Sequence, residues 1–544
     1  MKKNLIDQNE NNTKCQNDDM IGNSTERKSH FMENILEVRD LTMGFAENGK
    51  WHQILNQISF DIPKGKVVGI VGESGSGKSM TSLTIMRLLS ENARVINGSI
   101  MFEGRDLLTL KDKEMQALRG NEISMIFQEP MTSLNPVIKI GKQVGESLRL
   151  HTQLNQNDID LKVIEALESV GLPDPEVLMN KYPYQLSGGM RQRVMIAMAS
   201  ICQPKLLIAD EPTTALDVTV QLQILKLLRK FHDETGTSIL FISHDLRVIR
   251  AVCDEVIVMY QGDIVEAGAV EEVLNHPKHD YTKTLVAKIP KNTTPIVSET
   301  PVLRAENLNV FYDEKPGLFS GKHGKKHVLK DVSLEVREGE ILGIVGESGC
   351  GKSTFARTIV GLNKDYKGTL EINSERPQMV FQDPFGSLNP AKRIGWILQE
   401  PLKLRGIRNR QERLRMVDEM LVQIGLDASY KNRYAHELSG GQRQRISIGI
   451  ALLGGSKLMI ADEPVSALDV TVQSQILKLL LELHEKNHLT MIFISHDLSV
   501  VRGMCHRVAV MYQGQIVEIG DAEEVYEHPQ HEYTKLLLAA SLNE

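Results

Sequence analysis

The residues best suited to chemistry come in two matched sets. Gly72, Glu73, Ser74, Gly75, Ser76, Gly77, Lys78 and Ser79 follow the apolar run "KVVGIV"; Gly346, Glu347, Ser348, Gly349, Cys350, Gly351, Lys352 and Ser353 follow "EILGIV". Both fit G-x-x-x-x-G-K-[ST], whose glycines let backbone N–H groups turn inward around phosphate oxygens. The helix running on through Met80 or Thr354 adds its positive N-terminal end, and Lys78 or Lys352 adds a point charge. Ser79 and Ser353 offer hydroxyls to Mg²⁺. Further on, "LLIAD" and "LMIAD" deliver Asp210 and Asp462 to a strand end, where they can hold the same ion through water. Glu211 and Glu463 come one residue later and can polarise an attacking water. "FISH" twice ends an apolar strand on a histidine, His244 and His496, placed to sense a γ-phosphate. Gln128 and Gln382, after "IF" and "VF", are candidate ligands for metal or water. A single glycine-rich match could be a chance turn; two at corresponding places are not.

Such residues must be brought together by strands that end at one edge. Short β-branched runs alternate with longer helical patterns in each half, which predicts an α/β fold with a largely parallel core sheet. The halves march in step: "MIFQEPMTSLNP" with "MVFQDPFGSLNP", and "ADEPTTALDVTVQ" with "ADEPVSALDVTVQ". The boundaries expected are a disordered tail over 1–33, a first unit over 34–288, an exposed Pro/Thr-rich linker over 289–302 and a second unit over 303–544. "GRDLLTLKDKEMQALRGNE" has almost no counterpart in the second half.

Composition narrows the setting. The 544 residues are 41% apolar and 24% charged, with net charge −7, so no basic excess points to nucleic acid. Five scattered cysteines without a CxxC pair suit a reducing cytoplasm. No signal peptide is visible, and no run approaches the ~18 apolar residues a membrane span needs.

"YQLSGGMRQRVMIAMA" and "HELSGGQRQRISIGIA" carry no carboxylate beyond Glu437, yet occur once per half. Together with Walker A, Q-loop glutamine, Walker B with its glutamate, "ALD" loop and switch histidine, in order and twice, they resemble the ATP-binding-cassette family over residues 34–544. The resemblance implies two tandem P-loop NTPase cassettes, each with a mostly parallel core sheet, an antiparallel β-subdomain and a helical subdomain. It also implies head-to-tail pairing, with ATP held between the Walker A of one cassette and the signature of the other. The first site then has Gly72–Ser79, Gln128, Asp210, Glu211 and His244, closed by Ser439, Gly440, Gly441 and Gln442; the second has Gly346–Ser353, Gln382, Asp462, Glu463 and His496, closed by Ser187, Gly188 and Gly189. Phe45 and Tyr312 align with the family's adenine-stacking aromatic. A serine and two glycines opening a helix bring a hydroxyl, N–H groups and the helix dipole to a γ-phosphate. Met190 stands where the second half has Gln442 and marks which half is which.

Within that family the phrases "FQEPMTSLNP" and "HPKHDYTKTL" are most similar to the peptide/nickel group of bacterial importers, fused two-cassette proteins of the glutathione-importer type among them. This implies an ATPase motor on the cytoplasmic face of the inner membrane, two permease subunits docked on 129–136 and 383–390, and an extracytoplasmic solute-binding protein. Nickel or metallophore uptake is an alternative cargo; a tandem-cassette ATPase acting on ribosomes or DNA is an alternative class, disfavoured by the short linker. Export is disfavoured by the importer-type phrases. No iron–sulfur cluster is expected, since the C-terminal cysteines associated with one are absent. The repeated "HPxHxYT" element, with His276, His279, His528 and His531, shows no third metal ligand and reads as a surface structural motif.

Overall fold

Every residue of β3 (Val67–Val71) is buried, as is every residue of its counterpart β13 (Ile341–Val345). A strand covered on both faces has to be apolar along its middle, which is why these runs read as continuous rather than alternating. The same burial holds for β7 (Leu206–Asp210), β8 (Ser238–Ser243), β16 (Leu458–Asp462) and β17 (Thr490–Ile494). The computed structural model describes residues 33–47, 49–129, 133–213, 218–287, 289–296, 298–313, 325–466 and 468–540. The tail expected over 1–33, apart from Glu33, therefore lies outside the described residues, as does the first "ALD" triplet.

With β6 (Ile123–Ile126), β9 (Glu255–Tyr260) and β10 (Asp263–Ala269), the first-half strands make a six-stranded sheet in the order β10-β9-β3-β8-β7-β6. All its pairings are parallel except that of β10 with β9. The second half repeats the sheet with β15 (Gln378–Val380), β18 (Arg507–Tyr512) and β19 (Gln515–Asp521), in the order β15-β16-β17-β13-β18-β19.

Period-two alternation divides each buried strand between two cores. Val68, Ile70, Leu206 and Ile208 face an antiparallel sheet; Val67, Val71, Leu207 and Ala209 face helices. Each large side chain so buried contributes roughly 1.5–3 kcal/mol. The antiparallel sheet of the first half has four strands, β1 (Asn34–Glu47), β2 (Lys50–Pro63), β4 (Ala93–Phe102) and β5 (Arg105–Asp106). That of the second has three, β11 (Pro301–Asp313), β12 (Lys325–Arg337) and β14 (Tyr366–Ile372). The segment without a counterpart supplies β5 and the helix Asp112–Leu118. Further helices, among them Gln156–Ser169 and Arg410–Gln423, lie between β6 and β7 and between β15 and β16.

The join between the halves differs from the exposed linker its composition suggested. Asn292 donates its backbone N–H to the Gly503 carbonyl at 2.7 Å and its side-chain amide to that of Met504 at 3.1 Å. The Thr294 carbonyl lies 2.6 Å from His506 Nε2, and Ile289 packs against the second half's core. The end of the helix Leu498–Met504 has carbonyls without intrahelical partners, and the join satisfies them. Among the described residues no helix is long and apolar enough to cross a membrane.

Candidate phosphate-binding and hydrolytic sites

Parallel strands that stop together bring the chemistry to one edge. The phosphate loops leave β3 and β13 and enter the helices Lys78–Ile85 and Lys352–Ile359. A Cβ on Gly72 would lie 2.1 Å from the Met259 carbonyl oxygen, and one on Gly346 would lie 2.1 Å from that of Met511, so neither position tolerates a side chain. Lys78 Nζ donates to the carbonyls of Gly72 at 2.7 Å and Glu73 at 2.8 Å, and Lys352 to those of Gly346 and Glu347 at 2.7 and 2.9 Å. Burial pulls the Lys78 ammonium below its usual value, while Glu211, Asp210, Glu73 and Asp469 pull the other way. Ser74, Gly75, Ser348 and Gly349 are exposed at the loop tips; Ser76, Gly77, Cys350 and Gly351 are buried beneath them. Met80 turns its side chain into the core under the antiparallel sheet, leaving its backbone as the part that can meet a ligand, and Thr354 is half-buried.

Next to the loop, Ser79 Oγ donates to Asp210 Oδ1 at 3.1 Å, and Ser353 Oγ to Asp462 Oδ1 at 3.2 Å. Burial raises both carboxyl groups above the ordinary range. Asp210 also accepts from Ser82 Oγ at 3.2 Å; Ala356 stands there in the second half, and the neighbouring Arg357 charge acts on Asp462 instead.

One residue beyond each aspartate, the chain takes a left-handed turn, φ 47° at Glu211 and 48° at Glu463, sparsely populated backbone for a non-glycine residue. It is anchored by the glutamate N–H, which donates to the Ile242 carbonyl at 3.0 Å and, in the second half, to that of Ile494 at 2.9 Å. The turn points each carboxylate at a glutamine and a histidine. Gln128 Nε2 donates to Glu211 Oε2 at 2.8 Å, and His244 Nδ1 lies 3.4 Å from Oε1. Gln382 Nε2 donates to Glu463 Oε2 at 2.8 Å, and His496 Nδ1 lies 3.4 Å from that oxygen. The hydrogen bond to the glutamate raises each histidine above its usual value against the pull of burial. Glu463 is pushed up by burial, but His496 and Lys352 outweigh this and hold it below the usual range.

The signature serines open the helices Gly188–Ser200 and Gly440–Leu453, each side chain accepting the N–H three residues on, Met190 or Gln442, at 3.3 Å. Gly188 faces open space, whereas a Cβ on Gly189 would lie 2.8 Å from Val220 Cγ1 and one on Gly441 2.3 Å from Val472 Cγ1. The second glycine is thus needed for packing within its own half. Gln442 does not reach outward: Oε1 accepts from the Ser439 N–H at 3.1 Å and Nε2 donates to Tyr430 Oη at 3.2 Å. Twelve residues before Met190 stands Leu178 where Tyr430 stands before Gln442, so each half has a matched pair, one apolar and one polar. A Cβ on Gly440 would touch Leu468 at 3.4 Å, and Asp469, next along, acts electrostatically on Lys78 of the first half. Val470 packs against the first half's core. Phe45 pairs through its backbone with His52 on β2 and Ala93 on β4, but among the described residues Tyr312 pairs only with Lys326 on β12, and it is 39% exposed. The shortened antiparallel sheet therefore frames that aromatic on one side alone.

Two residues of the site escaped the sequence reading. Tyr281 Oη accepts the backbone N–H of Glu73 at 3.0 Å, and Tyr533 Oη that of Glu347 at 3.0 Å. Both belong to the "HPxHxYT" elements, where His279 and His531 accept the tyrosine N–H and so open the helices carrying the rings. The rings stack on Tyr260 at 4.3 Å and Tyr512 at 4.1 Å between centroids. Burial raises both phenols, so they stay protonated. The repeat itself was the signal.

Removing both hydroxyls, Tyr281→Phe with Tyr533→Phe, keeps the stacks but leaves two loop N–H groups unmatched. At about 1 kcal/mol per lost bond, ATP affinity should fall roughly fivefold or more, measured by titration with a fluorescent nucleotide. Met190→Gln should change the ATPase rate by less than about tenfold, since Gln442 in the same place serves its own helix cap; a steady-state phosphate-release assay checks this.

The chain is similar to known proteins over most of its length. Residues 55–214 and 329–466 match the ABC transporter family, and 265–309 and 517–543, which contain both tyrosines, match the oligopeptide/dipeptide transporter C-terminal region. The glutathione import ATP-binding protein GsiA of Pectobacterium atrosepticum is 42% identical, over 93% of this chain and 89% of that protein. GsiA of Escherichia coli strain K12 is 41% identical over the same shares. Among solved structures, the ATP-binding cassette MJ0796, in a dimeric post-hydrolysis state bound to ADP and Pi, is 26% identical, with TM-score 0.40, covering 43% of this chain and 98% of that one. The chain belongs to the ABC transporter ATP-binding family, as two fused ATPase cassettes.

Proposed function

We propose that the two cassettes power uptake of short peptides, di- and oligopeptides or glutathione, hydrolysing ATP at two composite sites. The doubled Gln–Glu–His arrangement beside the phosphate loops carries this reading; similarity to glutathione import ATP-binding proteins supports the cargo. Loop N–H groups with Lys78 or Lys352 hold the phosphates. Ser79, Gln128 and Asp210, and likewise Ser353, Gln382 and Asp462, would hold Mg²⁺. The fit is chemical: a hydroxyl already lies beside a buried carboxylate, all donors are oxygen, and the glutamine nitrogen is spent on glutamate, which leaves its oxygen to face a cation. When bound, Mg²⁺ would supply positive charge against the phosphates.

Glu211 and Glu463 take a proton from water as its oxygen bonds to the γ-phosphorus; the bond to the bridging oxygen breaks, releasing ADP and phosphate. With Nδ1 of His244 or His496 on the glutamate, Nε2 faces the γ-phosphate. Ser439 to Gly441 close the first site and Ser187 to Gly189 the second. ADP leaves those helix ends without their anion, so the pair opens. The motion passes to two permease subunits at the cytoplasmic face of the membrane, fed by a solute-binding protein. The expected docking stretches are 129–136 and 383–390, of which 130–132 and the side chains of 384 and 385 lie outside the described residues.

Glu211→Gln with Glu463→Gln should keep ATP binding and lower ATPase by ~10²–10⁴. Cells with that variant as their only copy should stop accumulating labelled glutathione and dipeptides. Near-normal turnover contradicts the assignment. The histidines add a pH signature. Their raised values in the folded chain mean that the His–Glu contribution is full below the ordinary histidine pKa and is lost as pH rises through the raised value. The melting temperature lost in His244→Gln/His496→Gln should accordingly be larger at about pH 6 than at about pH 9.

A further inference from the structure

The halves differ in charge where they meet. "SHDLRV" in the first half becomes "SHDLSV" in the second, so Arg247 stands where the repeat has Ser499. The guanidinium is gripped by two carboxylates, one from each cassette. Nε and Nη2 donate to Asp245 at 3.1 and 3.0 Å; Nη1 and Nη2 donate to Asp497 at 2.9 and 3.1 Å. Nη1 also lies 3.3 Å from Ser499 Oγ. The two asparates' carboxylates would repel each other without it, and a planar fork with five donors satisfies both at once. Burial alone would lower the Arg247 pKa, but the two aspartates more than reverse that, so the group stays charged. A second arginine at position 499 would find both carboxylates already engaged.

The aspartates directly follow His244 and His496, and each opens the next helix, Asp245 accepting the Arg247 N–H and Asp497 those of Ser499 and Val500. We propose that Arg247 is a positioning residue that couples the two ATP sites, passing a shift of one switch histidine to the other through Asp245 and Asp497. This rests on the reading of His244 and His496 as γ-phosphate contacts. Arg247 acts only through those neighbours.

The test uses the full chain and its ATPase rate against ATP concentration. The unmodified chain should give a Hill coefficient clearly above 1. Arg247→Ser, which makes the halves alike, should bring it to about 1 while the saturated rate stays within about threefold. Moving the charge to the other half, Arg247→Ser with Ser499→Arg, should restore cooperativity, because the same two carboxylates then receive the fork from the other side. Asp497→Asn gives a second arm: it should lower the coefficient in the unmodified chain and change nothing further in Arg247→Ser. A coefficient near 1 in the unmodified chain, one unmoved by Arg247→Ser, or equal effects of Asp497→Asn in both backgrounds overturns the proposal. A chain that hydrolyses ATP without cooperativity refutes coupling alone; a chain that does not hydrolyse ATP refutes the site reading as well.

Discussion

A strand buried on both faces can place a charge only at or beyond its end. In each half the phosphate loop, the Asp–Glu pair and the switch histidine follow three hydrogen-bonded neighbours, β3, β8 and β7, or β13, β17 and β16. Parallel register then does the rest: Asp210 pairs with Ile242 and Val71 with Ser243, so the three exits share one edge. The left-handed backbone at Glu211 and Glu463 is the local cost of turning off that edge while still giving an N–H to β8 or β17. The site is therefore a property of the sheet's rim, and the loops above it inherit its alignment.

The two helix-opening signatures divide their small residues between roles. Gly188 leaves room outward and Gly440 stands at ordinary contact distance from Leu468, whereas Gly189 and Gly441 admit Val220 and Val472. The helix that Val472 belongs to, Val470–Asn487, is capped by Asp469, whose charge reaches Lys78 across the halves. Packing inside one cassette and charge at the other cassette's phosphate loop are thus fixed by the same turn.

Much of this was legible in the sequence because glycines, buried acids and apolar strand runs each have few physical alternatives. Gly72, Lys78, Asp210, Glu211 and His244 were found that way, and their duplication removed chance. What escaped were groups whose role depends on a partner distant in the chain. Tyr281 lies about 200 residues from Glu73, and nothing in "HPKHDYTKTL" says that its hydroxyl meets a backbone N–H there. Gln442 also has a partner that its own segment does not announce, since Tyr430 sits in a separate turn. The join at 289–302 has a linker's composition, yet the carbonyls it satisfies belong to the helix Leu498–Met504.

The lone arginine between Asp245 and Asp497 bears on how such a protein can be inherited. Two identical cassettes meeting about a twofold axis would bring either two arginines or two serines to that axis, never one of each. A one-sided clamp can be encoded only by copies free to diverge. Carrying both on a single chain keeps the divergent partners in a fixed one-to-one ratio, so the fusion preserves a broken symmetry that an ordinary homodimer would erase.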